Sequence, residues 1–412
     1  MHHRRYFLIP HLMAFLLIMA AVPSGANILV RCPGDTDGDA VIDTVDPAHP
    51  NAKCMHLGAG DGYAVMADGK LQYIFSFSDL TGIPTRTKKQ KADLMNAGML
   101  AATWPAPTIM LDEGDEFYLN LTNVGMMMRP DLFDACTVHW HGFPQASSIF
   151  DGVPDASISI NMGATLTYYY KVVEPGTYMY HCQVEATEHM QMGMLGNLYV
   201  RPAQDGTPIT YQGKTYTKFA YNDGDGSTGY DVNYPIQIGG FDSNFHDASA
   251  TVQPLPFAAM KDNYPMLNGR GYPDTVNPLP LTPPAENGGK ESQKVSSLIE
   301  AAPGDRILLR ISSLDVTRFY TLASLGISMK VVGSNARLLR GSSPDGGITP
   351  GKNLYYTTNS VTLGGGETAD VILEVPDTAP SGTTYFLYSA NLNYLSNHNE
   401  DFGGMMTEIR IN

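Results

Sequence analysis

Apolar residues in this chain fall in short runs, rich in β-branched and aromatic side chains and broken by Gly, Pro, Asn and Asp, as strands burying one face require. Tyr73-Ile74-Phe75-Ser76-Phe77, Glu116-Phe117-Tyr118-Leu119-Asn120-Leu121, Leu166-Thr167-Tyr168-Tyr169-Tyr170 and Leu198-Tyr199-Val200 read as strands of a first set spanning residues 71–201. A second set spans residues 214–411, clearest over residues 306–311, 328–332, 369–374 and 384–388. No stretch sustains a helical period, so the pattern predicts an all-β protein built of sandwiches or barrels. A chain of 412 residues with 43% apolar content can bury two ordinary cores. The expected organisation is a first domain over residues 61–203, a linker, and a second domain over residues 214–412.

Two segments precede these domains. His2, His3, Arg4 and Arg5 form a basic start, residues 7–22 are largely apolar, and Ser24-Gly25-Ala26 offers small residues for cleavage. Residues 1–26 therefore read as an export signal, too short and too interrupted by Pro10 and His11 for a membrane span. The expected product is a soluble periplasmic or secreted protein with no membrane association after cleavage. Residues 27–60 are rich in Asp, Gly and Pro and read as an extension outside the core. Within them Asp35, Asp37, Asp39, Asp43 and Asp46 stand at relative positions one, three, five, nine and twelve, the stagger of oxygen ligands in a calcium loop. Ala40 occupies the position where such loops usually turn on glycine. Cys32 and Cys54 bracket the segment and are placed to close it as a disulfide.

Charge narrows the partners. The 41 acidic residues outnumber the 26 basic ones, which argues against nucleic acid or an anionic membrane, since both need clustered Lys and Arg. No nucleophilic triad, phosphate-binding glycine loop or dinucleotide fingerprint is found.

Candidate chemistry concentrates in the first domain. In Thr137-Val138-His139-Trp140-His141-Gly142, strand alternation places His139 and His141 on one face, where they can serve one metal centre or two neighbouring ones. Gly176-Thr177-Tyr178-Met179-Tyr180-His181-Cys182 is followed by His189 and Met194. Imidazole, thiolate and thioether within one short segment form a ligand set suited to copper.

At this point the sequence resembles the multicopper oxidases over nearly all of the chain after the signal. The resemblance rests on Trp104-Pro105-Ala106-Pro107-Thr108-Ile109 leading into Glu113-Gly114-Asp115, on His139-Trp140-His141-Gly142, on Asp151-Gly152-Val153-Pro154-Asp155 and on residues 176–181. Further on, Leu267-Asn268-Gly269-Arg270-Gly271-Tyr272-Pro273-Asp274 and Pro303-Gly304-Asp305-Arg306 continue it, in the family's order. It implies two cupredoxin-like, plastocyanin-like Greek-key β-sandwiches, copper as cofactor, and a small-molecule substrate, metal-ion substrate or redox partner protein. It further implies that His139 resembles a type 2 copper ligand, that His141 and His181 resemble type 3 ligands, and that Cys182, His189 and Met194 resemble type 1 ligands.

Three departures qualify this. Gln183 stands where the family has a further His, Cys136 stands where a type 1 site would take its first His, and the second domain has no His-x-His pair, Thr321-Leu322-Ala323-Ser324-Leu325-Gly326 carrying no imidazole. By strand alternation Cys136 and Cys182 face away from the histidines, into the sandwich. They are expected either to pair as a disulfide or to form a sulfur-rich copper site with His189 and Met194. Of the histidines beyond the signal, His49, His56, His246 and His398 lie outside the copper motifs. A complete oxygen-reducing trinuclear centre within one chain is therefore not expected; its missing ligands would come from a homotrimer or a hetero-partner. Met126-Met127-Met128 reads as core packing or as soft ligands for Cu(I). The function expected is that of a copper-binding oxidoreductase or electron-transfer protein, against copper sequestration for tolerance or a structural sandwich with decayed metal sites.

Overall fold

A computed structural model of the chain describes residues 30–346 and 350–412. The expected export signal at residues 1–26 lies outside the described residues.

The first sandwich is built from β1 (Ala52–Val65), β2 (Leu71–Asp79), β3 (Ala106–Asp112), β4 (Glu116–Gly125), β5 (His139–His141), β6 (Thr165–Lys171), β7 (Gly176–His181) and β8 (Leu195–Arg201). One sheet has the order β2-β1-β4-β6 and the other β3-β8-β7-β5. β1 pairs antiparallel with β2 and parallel with β4, the latter register beginning at Ala52 opposite Glu116. Residues 52–60, expected in an extension outside the core, thus belong to a central strand, and Leu57 and Ala59 are buried. The Gly- and Asp-interrupted sequence there hid the strand because Gly58 and Gly60 pack closely: a Cβ at Gly58 would meet Leu80, and one at Gly60 would meet Val124.

Helices α1 (Lys88–Gly98), α2 (Ala186–Gln191) and α3 (Ser243–Ala250) punctuate the strands of the expected all-β fold. Helix α1 starts at a reciprocal cap, in which the Thr87 hydroxyl accepts from the Gln90 N–H at 3.2 Å and the Gln90 side-chain oxygen accepts from the Thr87 N–H at 2.9 Å. Its apolar contact is narrow, with Leu94 packed on Leu80 and Val124, so its periodicity is weak.

After a hairpin of β9 (Ile209–Tyr211) and β10 (Lys214–Tyr216) come β11 (Val232–Phe241), β12 (Tyr264–Leu267), β13 (Ile299–Ala301), β14 (Arg306–Ser313), β15 (Tyr320–Leu325) and β16 (Met329–Ser334). They are followed by β17 (Arg337–Leu338), β18 (Tyr356–Thr358), β19 (Ser360–Leu363), β20 (Glu367–Glu374), β21 (Thr384–Ser389) and β22 (Met406–Ile411). One sheet runs β12-β11-β14-β20-β16-β17, with β18 also on β16, and its partner runs β13-β22-β21-β15-β19. Ile236, Ile307, Leu309, Leu322, Val371 and Ile409 are among the residues of the core they enclose.

Strand β14 is buried along its whole length because the first sandwich covers its outer face. Ser312 donates to Asn197 of β8, and Thr368 donates to the Thr177 carbonyl of β7 at 2.8 Å. Arg310 and Asp370, both without exposed side-chain surface, lie 3.8 Å apart, and Asp370 accepts from Thr177 and Tyr221. This seam brings the Gly364-Gly365-Gly366 turn between β19 and β20 against the histidine strand of the first sandwich.

Candidate metal centre

Trp140 fixes the histidine strand. Its indole is fully buried and stacks on Tyr170 with ring centroids 3.8 Å apart, 11° from parallel. With Trp140 inward, His139 and His141 must project to the other face. β5 pairs antiparallel with β7, placing His139 directly opposite His181. Ligand atoms of His139, His141 and His181 lie within 4.8 Å of one another.

The backbone sets which nitrogen each ring offers. His139 Nδ1 lies 2.6 Å from the Asp151 carbonyl oxygen, and His181 Nδ1 lies 2.9 Å from the Cys182 carbonyl oxygen. In each case Nδ1–H is the donor, which leaves the lone pair on Nε2. His141 Nδ1 faces His181 Nε2 at 3.2 Å, while its Nε2 rests against Gly366. Burial pushes His181 down to about 3, the Cys182 carbonyl opposing and the neighbouring His rings assisting. Burial, and then His139, lowers His141. Since His181 Nε2 carries the lone pair, the 3.2 Å contact is a hydrogen bond from His141 Nδ1–H, and three imidazole nitrogens gathered within 4.8 Å form a donor set that fits a copper ion.

On the opposite face of the same strand end lies a second cluster. Cys136, paired to Ile160 through an isolated bridge, and Cys182 are buried with their sulfurs 3.0 Å apart, hydrogen-bonded and not covalently joined. His189, on α2, places Nδ1 3.2 Å from the Cys182 sulfur. The Cys182 N–H donates to the Met194 carbonyl at 3.1 Å, and the Met194 N–H donates to the His189 carbonyl at 2.8 Å. This pins the loop that carries the fully buried Met194. Burial raises the Cys182 thiol, but the Cys136 hydrogen bond and the His189 charge outweigh it and hold Cys182 well below the ordinary range. Burial and the adjacent Cys182 thiolate push Cys136 well up. His189 is lowered by burial yet raised overall to about 10 by Cys182 and Asp134. A thiolate beside an imidazole in a dry pocket fits a thiophilic metal, copper included.

The expected alternation of faces is thus observed: His181 and Cys182, adjacent in sequence, enter different clusters. Gln183 follows at the strand's end, its N–H donating to the Thr137 hydroxyl at 3.3 Å. Met126 is buried, whereas Met127 and Met128 are half-exposed. Of the calcium-loop residues, Asp35, Asp37 and Asp39 come together, and Ala40 adopts φ 65°, supplying the turn without glycine. Asp43 instead accepts from Thr36, and Asp46 accepts from the Ala48 N–H. Cys32 and Cys54 form the expected disulfide. Sequence reasoning missed Asp134 and Glu185, which approach His189, and Gly366, which approaches His141. Asp134, two residues before Cys136, was the nearest available signal.

The multicopper oxidase family profile matches residues 85–205. The chain is 24% identical to copper resistance protein A of Escherichia coli over 76% of its own length and 47% of that protein. It is 32% identical to laccase 1 of Metarhizium acridum over 26% of its length and 17% of that protein. It therefore spans less than half the length of these curated relatives. Among solved structures, the blue copper oxidase of Nitrosomonas europaea superposes with a TM-score of 0.59 at 22% identity, over 86% of this chain and 85% of that one. Residues 85–205 thus match the multicopper oxidase family profile, and the chain shares the all-β cupredoxin fold of solved multicopper oxidases.

Proposed function

We propose that the chain is a copper-binding oxidoreductase that passes single electrons between a thiolate centre and an imidazole centre. One observation carries this reading: His181 and Cys182 are consecutive residues whose side chains enter two different metal-competent clusters. Bound copper would supply one-electron redox chemistry. The chain's own contribution is to hold Cys182 as thiolate, to gather His139 with His141 and His181, the last two kept neutral by burial, and to join the clusters through one peptide unit. Cys136 is the departure that matters most, since it puts a second sulfur where an imidazole is expected. Three imidazoles fall short of the donor set for four-electron oxygen reduction, so we expect the isolated chain to be a poor oxidase. Missing ligands would come from a homotrimer or a partner protein. The substrate is expected to be a small molecule, a metal ion or a redox partner protein.

Steady-state oxygen uptake by copper-loaded monomer and by any oligomer, with a phenolic reductant, tests this. The expected rate is far below the usual enzymatic turnover of about 1 per second, while the copper still accepts electrons in a reductive titration. Copper that cannot be reduced and reoxidised would favour the second reading, metal sequestration, which the similarity to copper resistance protein A supports.

Two further readings belong here. Export is supported by the N-terminal composition and by the Cys32–Cys54 disulfide, and N-terminal sequencing should find a mature chain beginning after Ala26. Calcium at Asp35, Asp37 and Asp39 is supported by the gathered carboxylates and the turn at Ala40. Calorimetric addition of Ca²⁺ to chelator-treated protein should show binding that Asp37→Asn removes.

A further inference from the structure

The copper reading uses only one nitrogen of His189. Its Nε2 atom points away from the sulfurs, in a ring with no exposed surface, and has no hydrogen-bond partner. It faces Asp134 Oδ2 at 3.8 Å, and that oxygen is likewise buried and unpartnered. The separation is too long for a hydrogen bond. The two form a loose ion pair in which neither atom is hydrogen-bonded, and buried polar atoms without a hydrogen bond are costly. Glu185 closes the group: one ligand atom each from Asp134, Glu185 and His189 lie within 4.8 Å of one another.

Arg129 is committed to Asp131 and to the Ser249 carbonyl. The loop position of Asp134 does not depend on its carboxylate, because its backbone carbonyl is held by the Asn123 side-chain amide at 2.8 Å. Two metal–ligand bonds of about 2.1 Å can span up to about 4.2 Å, so one ion reaches both facing atoms without rearrangement of the backbone. One nitrogen and two carboxylate oxygens form a borderline-to-hard donor set, which suits a divalent ion of the zinc type. Glu185 is exposed, which leaves the group open to solvent on its side.

We propose that Asp134, Glu185 and the Nε2 atom of His189 bind a second divalent metal ion; with copper also on Nδ1, the His189 ring bridges the two as an imidazolate, its remaining N–H proton passing to solvent as the second ion binds. The sharing of the ring rests on the copper reading above; the carboxylate site does not. A divalent charge on one nitrogen weakens the other as a donor. Occupancy of the carboxylate site therefore tunes the thiolate centre, and the concentration of free metal becomes an input to its electron affinity.

The test uses Zn²⁺ as probe on the full copper-loaded chain, comparing the wild type with an Asp134→Asn, Glu185→Gln double variant and with Glu185→Gln alone. After dialysis against buffered Zn²⁺, elemental analysis should find one more zinc in the wild type than in the double variant, with equal copper in both. Zinc affinity should fall more than about tenfold in the double variant and by an intermediate factor in the single one. The visible thiolate band should shift on zinc addition in the wild type alone. Equal zinc uptake by wild type and double variant, or zinc uptake only in exchange for copper, would overturn the proposal. Carboxylate-dependent zinc uptake in a protein that shows no copper–thiolate band would uphold this site and reject the copper reading instead.

Discussion

Replacing Gly366 with Ala asks whether the second sandwich shapes the imidazole cluster. Gly366 has φ 91° and donates its N–H to the Ser313 carbonyl at 2.8 Å. A Cβ there would lie 2.6 Å from His141 Nε2 and 2.9 Å from His141 Cε1. Ordinary carbon contacts lie at about 3.5–4.0 Å, so the ring must retreat by about 1 Å. That displacement is half of a metal–nitrogen bond of about 2.0–2.1 Å, enough to take His141 Nδ1 out of the shared position. The backbone strain of a non-glycine residue in this conformation adds about 1–2 kcal/mol. Gly382→Ala is the matched control, with φ 84° and nothing within 4 Å of the added Cβ. Both variants should lose about 1–2 kcal/mol in urea unfolding of the metal-free protein, with an added contribution at Gly366 if the ring cannot retreat. Copper competition against a chelator should show the imidazole site weakened more than about tenfold in Gly366→Ala and unchanged in Gly382→Ala. Equal copper affinity in the two variants would refute the reasoning.

Asp370→Ala leaves the fully buried Arg310 guanidinium without its carboxylate and should destabilise the seam between the sandwiches by about 3–5 kcal/mol in urea unfolding; a loss below about 1 kcal/mol would contradict the account. Burial holds His56 near 4 and His181 near 3 in the folded chain, so below about pH 6.5 the unfolded state binds protons that the folded state refuses. Copper-free protein should therefore lose stability as pH falls from about 6.5 to 4, by about 1.4 kcal/mol per pH unit for each ring, and a flat profile there would contradict the burial of these rings. Replacing both His139 and His181 with Ala should lower copper content while leaving the thiolate band in place, and loss of the band would show that the two clusters are not separable.

The ligand clusters were legible because strand alternation is a strict rule. Once residues 139–141 and 176–181 are strands, His139, His141 and His181 share a face, and Cys136 and Cys182, just outside the strands, fall on the opposite one. What alternation cannot supply is the environment. Nothing in the sequence places Gly366 against His141, more than two hundred residues away, since that contact depends on how β19 and β20 pack on β5. Strand β1 was hidden by Gly58, Gly60 and Gly62, which serve close approach to neighbouring side chains but read locally as loop. Helix α1 did announce itself at Thr87 and Gln90, yet its one deeply buried leucine gives almost no period to detect.

The central claim is that this chain holds copper through the Cys182 thiolate and the three imidazoles. Its most direct test is metal analysis, with a visible absorption spectrum, of the purified chain and of Cys182→Ser. The account predicts bound copper and an intense thiolate charge-transfer band in the wild type, with the band absent and part of the copper retained in the variant. A colourless, copper-free protein after copper loading, with Cys136 and Cys182 joined as a disulfide, would contradict it.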